Sequence, residues 1–361
     1  MRLVIATPLY PPEIGGPATY AKLLVEGLPG KGIEVELVKF SEVRHLPKII
    51  RHYAYYRRVR AAARNADIIL ALDPVSVGLP AMRAAKKTRK PFILKIGGDY
   101  AWEQGTQRFC VTQTLDEFVK TKRMPLPVRV LRHIQTRVAC SAMRVIAPSE
   151  YLKSIVGAWG VPHEKIRVIY NAVSPEEPGA MPEAVASLPR PLIVSVGRLV
   201  PWKHMEGVVD AVASIPGASL AIVGDGPERT ALMRRAEEKL PGRAACVGML
   251  SHRDTLATMQ SADAFVLNSS YEGLSHLLIE AQALGIPTVA TRIDGNTEVI
   301  TDGGDGILVP VGDTAALAAA LARVLGDGEL RARLGARARE SAKRFSVEAM
   351  LATTAAMLQK L

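Results

Sequence analysis

Short apolar runs recur along this chain, each followed by a stretch of helical periodicity, and the pattern stops once and then starts again. The first series occupies residues 3–6, 33–38, 67–71, 91–96, 143–147 and 166–169, and the second 192–196, 220–223, 245–247, 264–267, 287–290 and 306–309. The runs are apolar almost throughout rather than alternating, as expected of strands covered on both faces. Strand–helix alternation of this kind predicts an α/β fold with a doubly wound parallel sheet. A chain of 361 residues exceeds one ordinary core, so two such sheets in tandem are expected. The break falls at residues 174–190 (SPEEPGAMPEAVASLPR), proline-rich and without sustained period, which predicts a linker. This places one domain at 1–173 and a second from 191 onward. Two doubly wound domains imply a ligand cleft between the carboxyl ends of their strands.

The remaining composition excludes several classes. Cys110, Cys140 and Cys246 are odd in number and widely spaced, so neither a disulfide framework nor a zinc site is predicted and the reducing cytoplasm is the expected compartment. The first apolar run is cut short by Pro8, Pro11 and Pro12, too early for a signal peptide, and no run approaches the roughly 18 residues of a membrane span. The net charge of +11 is unevenly placed: residues 1–180 hold 28 Lys and Arg against 15 Asp and Glu. Basic stretches at 45–64 (HLPKIIRHYAYYRRVRAAAR), in an apparently irregular insertion at 104–123, and at 129–144 concentrate that charge. An anionic partner is therefore expected of the first half, whether a membrane surface or a nucleic acid.

The stretch 268–290 (NSSYEGLSHLLIEAQALGIPTVA) holds a strand end, a turn, a helix over about 274–284 and a further strand. The turn directs unpaired N–H groups and the positive end of a helix dipole at one point, with Glu272 beside it and Glu280 eight residues on. A phosphorylated sugar needs that combination, although either glutamate taken singly would pass for an ordinary surface residue. In SVGRLVPWKH a buried strand ends at Gly197 and releases Arg198 and Lys203, a planar fork and a point charge suited to a diphosphate. Gly224 and Gly226 form G-x-G but continue as PER, which does not complete a dinucleotide fingerprint. Gly15 and Gly16 stand where the first loop meets a helix, a place for a ligand to approach backbone or simply for a tight turn.

VGRL with Lys203, VGDGPE (223–228), the E-x7-E from Glu272 to Glu280, EAQALGIPTVAT (280–291) and GNTEVI with GILV (295–309) together resemble the retaining nucleotide-sugar glycosyltransferases of family four, the glycosyltransferases group one. The stretch 145–173 resembles the sequence that precedes this family's linker. The likeness is dense over 145–311 and looser before it. It implies the GT-B fold, two Rossmann-like doubly wound domains facing across a cleft. The donor site would lie in the second (191–344), the acceptor site mainly in the first, and the last helix (345–361) would return to the first. It also implies that Arg198 and Lys203 bind the donor diphosphate and that Glu280 accepts from ribose hydroxyls. Glu272 would lie near the transferred sugar, with the backbone N–H groups of Gly273, Leu274 and Ser275 serving sugar and phosphate. Gly16 would belong to the loop closing over the diphosphate, and backbone from Gly248 to Leu250 would hold the base. The implied activity is transfer from a UDP- or GDP-sugar to a glycan or lipid-linked acceptor of the cell envelope, at a cytoplasmic site or at the inner face of the membrane. No cofactor and no metal are expected, in keeping with the absence of any D-x-D triplet.

One position departs from the family. Many relatives carry a histidine after the fourth strand, where this chain reads KIGGDYAWE. Asp99 and Glu103 there are candidates for sugar or acceptor hydroxyls, with Asp99 alternatively a helix cap. Two other functions share parts of the pattern. A nucleotide-sugar epimerase of similar fold would need the same phosphate binding, and a basic nucleic-acid-binding protein the same charge. The group-one motifs oppose the first, and the lack of a recognised nucleic-acid motif opposes the second. The oligomeric state is not encoded in any of these features.

Overall fold

The computed structural model describes every residue except Ile14, Ser174 and Pro175; the first two residues of the expected linker thus lie outside the described residues. The chain divides into two compact units, Met1–Ala172 with Val347–Leu361, and Val173–Ser346.

The first unit runs β1 (Arg2–Thr7), α1 (Gly16–Gly27), β2 (Glu34–Lys39), α2 (Lys48–Ala62), β3 (Ile68–Ala71), α3 (Gly78–Thr88) and β4 (Phe92–Lys95). It continues through α4 (Tyr100–Arg108), α5 (Leu115–Lys120), α6 (Leu126–Ser141), β5 (Arg144–Ala147), α7 (Glu150–Ala158) and β6 (Ile166–Val168). Its six strands are parallel in the order β2-β1-β3-β4-β5-β6. β3 and β4 are buried along their whole length, which is why their sequences carry no period-two alternation. The insertion expected to be irregular at 104–123 instead holds α4, which begins before it, and α5. Each is started by a local cap: the Asp99 carboxylate accepts from Trp102 N at 2.9 Å, and Thr114 and Glu117 form a reciprocal capping box.

The second unit opens with α8 (Glu183–Ala186) and continues β7 (Leu192–Val196), α9 (Met205–Ala213), β8 (Ser219–Val223), α10 (Arg229–Lys239) and β9 (Ala244–Gly248). Then come α11 (His252–Gln260), β10 (Ala264–Leu267), α12 (His276–Leu284), β11 (Thr288–Thr291), α13 (Asp294–Thr297), β12 (Ile307–Val309), α14 (Thr314–Gly326) and α15 (Gly328–Ala342). The strands are again parallel, in the order β12-β11-β10-β7-β8-β9. Counted within the unit this is 3-2-1-4-5-6, the order of dinucleotide-binding sheets, whereas the first unit begins 2-1-3-4-5 as flavodoxin-like sheets do. The described part of the expected linker is not a free connector. Gly179 N donates to Arg253 O at 2.8 Å, Ala180 N to Asp254 Oδ1 at 2.9 Å, and Val185 of α8 is buried.

The chain ends in α16 (Val347–Leu358), which packs against the first unit. Met350, Leu351, Met357 and Leu358 join Tyr20, Leu24 and Leu28 of the α1 region and Ile5, Leu70 and Ile93 of the sheet in one core cluster. Burying side chains of this size contributes about 1.5–3 kcal/mol each, so the terminal helix is an integral part of the first core.

Candidate active site

In a wound sheet the loops after two adjacent strands diverge where the strand order reverses, and a crevice opens between them. In the second unit those strands are β7 and β10. The loop after β7 carries Arg198 and Lys203, and the loop after β10 carries Glu272. Among the described residues four hydrogen bonds tie the loops together: Ser270 N to Trp202 O at 2.8 Å, Ser270 Oγ to the same oxygen at 3.4 Å, Asn268 Nδ2 to His204 O at 2.9 Å, and Lys203 Nζ to Glu272 Oε1. Ser269 Oγ donates to the same Glu272 oxygen at 2.7 Å. Lys203 and Glu272 are each largely covered, at 12% and 13% side-chain exposure. Glu272 Oε2 accepts no hydrogen bond among the described residues. Arg198 is exposed, and its guanidinium has no partner among the described residues.

Close backbone packing holds these loops in place. A Cβ on Gly224, whose φ is +140°, would lie 1.9 Å from Gly197 O. The G-x-G after β8 therefore makes room for the neighbouring loop, consistent with its failure to complete a nucleotide fingerprint. Likewise a Cβ on Gly295 would come within 2.1 Å of Glu272 O, so α13 can press against the turn that holds Glu272. Asn296, fully buried, donates from Nδ2 to Thr291 O at 2.9 Å, and Thr291 Oγ1 donates to Ser269 O. The GNTEVI motif thus braces the β10 loop from behind.

The helix expected from about Leu274 begins at His276, because Ser275 is its N-cap and accepts from Leu278 N at 3.4 Å. Leu274 and Ser275 are buried, so what they and Gly273 can offer a ligand is backbone at a helix N-terminus. Glu280 lies five residues inside α12, about 7 Å along its axis. Its Oε1 meets His252 Nε2 at 2.9 Å, and His252 Nδ1 meets Glu176 Oε2 at 3.0 Å. These carboxylates, Glu280 foremost, push the imidazole pKa up to about 9. His252 opens α11, directly after the β9 loop that contains buried Gly248, exposed Met249 and partly exposed Leu250. The contact therefore joins Glu280 to the start of the helix that follows the Gly248–Leu250 loop. His252, Ser269 and Asn296 were not among the residues singled out from sequence, and nothing local marks His252, whose partners are 28 and 76 positions away.

In the first unit, Gly16 begins α1 and is exposed; the helix has Gly15 as its N-cap and no side-chain cap. Of the two readings of Asp99, the structure shows the helix cap. It is 1% exposed, and donors occupy both oxygens: Trp102 N at 2.9 Å and Gln135 Nε2 at 2.9 Å on Oδ1, and Trp159 Nε1 at 3.1 Å on Oδ2. Burial raises its pKa against the pull of those bonds. It is the cap of α4 and a hub of the core. Glu103, one turn on, is partly exposed.

Residues 181–341 match the model of "Glycosyl transferases group 1" and residues 14–177 that of "Glycosyltransferase Family 4". The lipopolysaccharide core biosynthesis glycosyltransferases LpsE and LpsD of Rhizobium meliloti are similar, LpsE at 35% identity over 52% of this chain and 55% of its own, LpsD at 37% over 47% and 51%. The chain spans about half the length of the curated relatives it matches. The crystal structure of Anabaena HepE in complex with UDP and glucose superposes with a TM-score of 0.79 at 19% identity, covering 100% of both chains. The fold is GT-B, and the chain belongs to the family-four, group-1 glycosyltransferases.

Proposed function

We propose that this protein transfers a sugar from a nucleoside diphosphate sugar, with UDP or GDP as the nucleotide, to a glycan or lipid-linked acceptor of the cell envelope, with retention of configuration and without a metal. The observation that carries the reading is the convergence of Lys203 and Glu272 at the strand-order reversal of the unit that matches the group-1 model. The Lps core relatives support the class of acceptor, and the UDP bound to HepE supports a uridine nucleotide.

In this reading Arg198 and Lys203 take the diphosphate, and the N-terminus of α12 adds partial positive charge where the leaving oxygen gains negative charge. Lys203 exchanges its Glu272 partner for phosphate, and Glu272 turns to sugar hydroxyls. Glu280 accepts from the ribose, and backbone at Gly248–Leu250 holds the base. The glycosidic bond to phosphate breaks as the acceptor oxygen bonds to the same face of the sugar, and the departing phosphate takes the acceptor proton. No separate base is then needed.

The acceptor side is read as working at an anionic membrane surface from the cytoplasm. Among the described residues no helix is long and apolar enough to cross a membrane. A groove of about 890 Å³ between the ends of α3 and α6 is lined by Arg83, Lys86, Arg89, Lys90, Arg137, Arg144 and Lys165, with no carboxylate among its lining residues. Tyr53 and Ile50 of nearby α2 are exposed.

The test is a thermal-shift panel of UDP- and GDP-sugars, since a ligand that binds only the folded state raises its melting temperature. The stabilising donor is then offered with lipid-linked and soluble glycan acceptors, with and without EDTA. Chelator-resistant release of nucleoside diphosphate and an axial product linkage from an axial donor are expected. Stabilisation by none of the donors would overturn the reading.

A further inference from the structure

His252 is held between two carboxylates, with Nε2 2.9 Å from Glu280 Oε1 and Nδ1 3.0 Å from Glu176 Oε2. A neutral imidazole has one N–H, so it would turn a lone pair toward one of these oxygens; satisfying both needs the doubly protonated ring. The carboxylates supply that preference, and the ring pKa is pushed up to about 9. The charged groups next to it in the chain face elsewhere: Arg253 Nε donates to Glu177 O at 2.9 Å, and Asp254 accepts from Ser251 Oγ and Ala180 N. Glu280 is the covered member of the trio, at 13% side-chain exposure against 44% for His252 and 35% for Glu176. Its Oε1 is taken by His252, while Oε2 accepts no hydrogen bond among the described residues.

We infer that His252 is a positioning residue for the donor: anchored by Glu176, it holds Glu280 by one oxygen so that the other is presented to the ribose hydroxyls, and it thereby sets nucleotide affinity. This rests on the reading of Glu280 as the ribose-binding carboxylate. A ribose diol donates and an imidazolium donates, so the two do not compete; the carboxylate accepts both. A carboxylate already fixed in its binding rotamer loses less freedom when the nucleotide arrives. The β9 loop that carries Gly248 and Leu250 ends at His252, so the same contact sets the spacing between the groups assigned to base and ribose.

The sign of the pH effect follows from the shift. A histidine whose pKa is raised on folding keeps its full contribution below its ordinary value near 6.5 and loses it as pH rises through about 9. Nucleotide affinity should fall over that upper range, because the neutral ring can keep only one of its two bonds.

Calorimetric titration of UDP and of GDP into the full chain, from pH 7 to 10, tests this with His252→Ala, His252→Gln and Glu176→Gln beside wild type. For the nucleotide that binds, His252→Ala is expected to weaken affinity about tenfold at pH 7. His252→Gln, which keeps one donor, should lose less and show no step near pH 9. Glu176→Gln should keep a step but move it to lower pH. Melting temperatures are measured for each, and if His252→Ala does not fold, the two glutamine variants carry the comparison. Wild-type affinity and pH profile in the variants would overturn the inference, and so would tighter binding by His252→Ala, which would make the ring a competitor. Binding of neither nucleotide by wild type would instead overturn the donor reading, and the positioning role with it.

Discussion

Asp99 and Glu272 each stand just past the carboxyl end of a buried parallel strand, β4 and β10, and each precedes a helix. Asp99 has donors on both oxygens and no appreciable exposure. Glu272 has Lys203 and Ser269 on one oxygen and none on the other among the described residues. The same division separates other charged groups at the two edges. Asp73 in the first unit is partly buried and accepts from Val75 N at 2.8 Å and from Ser76 N, closing its own loop. Lys95, at the end of β4, is buried over the Tyr20 ring with its nitrogen unpaired, and burial pushes its pKa down to about 7. In the second unit Arg198 is exposed with its fork unpaired, and Glu280 keeps one oxygen. Apart from Lys95, whose unfilled nitrogen is shut away from solvent, a charged residue at the end of a parallel strand is thus sorted by how many of its hydrogen-bonding positions the fold has already taken.

That sorting predicts opposite responses to substitution. The largest effect is expected for Arg198→Ala. Removing one charge-stabilising group aimed at the leaving oxygen should lower kcat by about 100- to 1000-fold, comparable to the loss of an oxyanion donor. Because the guanidinium has no hydrogen-bond or ion-pair partner among the described residues, the melting temperature should be unchanged. A lowered melting temperature with intact kcat would place Arg198 in the structural group and break the comparison. Next comes Asp99→Ala, which strands the donors of Trp102, Gln135 and Trp159 and removes the cap of α4. A loss of about 3 kcal/mol of stability is expected in denaturant unfolding, with KM for the donor unchanged in the protein that remains folded. Glu280→Ala should follow, weakening nucleoside diphosphate binding by about 2 kcal/mol in calorimetry, with a lowered melting temperature because His252 loses its foremost carboxylate partner. Unchanged affinity would show that its open oxygen serves no ligand.

The strands were legible because parallel β-runs buried on both faces leave an unmistakable apolar pattern. Their observed ends differ from the expected ones by no more than one residue, as at β11, which is Thr288–Thr291 against the expected 287–290. The start of α12 and the existence of α5 turned on caps. Thr114-x-x-Glu117 is a visible capping box that the surrounding Gln, Thr and Lys residues obscured. The pairing of Lys203 with Glu272 could be anticipated only as two motifs of one family, since the adjacency of β7 and β10 is a property of strand order. Asp99 was open to two readings because the difference lies in Gln135 and Trp159, 36 and 60 residues distant. His252 was illegible for the same reason: its meaning comes from two carboxylates that the chain brings to it from afar.

The smallest expected effect concerns charges that the fold leaves without an acidic partner among the described residues. The groove between α3 and α6 presents Arg83, Lys86, Arg89, Lys90, Arg137, Arg144 and Lys165 with no carboxylate in its lining, and none of the seven has an acidic partner among the described residues. Cations at an anionic surface contribute about 1 kcal/mol each, so neutralising one, as in Arg137→Gln, should weaken attachment to anionic vesicles about fivefold without abolishing it. Attachment of this origin is screened as the Debye length falls from roughly 10 Å at 0.1 M salt to 3 Å at 1 M. Cosedimentation with neutral and with anionic vesicles at both salt concentrations checks it. Binding to anionic vesicles alone, lost at high salt and reduced by Arg137→Gln, is the expected result. Equal sedimentation with both lipids, or none with anionic lipid at low salt, would mean that these unpaired cations serve solubility, and that an unfilled hydrogen-bonding position marks a ligand site only where backbone and a second charge converge on it, as they do around Lys203 and Glu272.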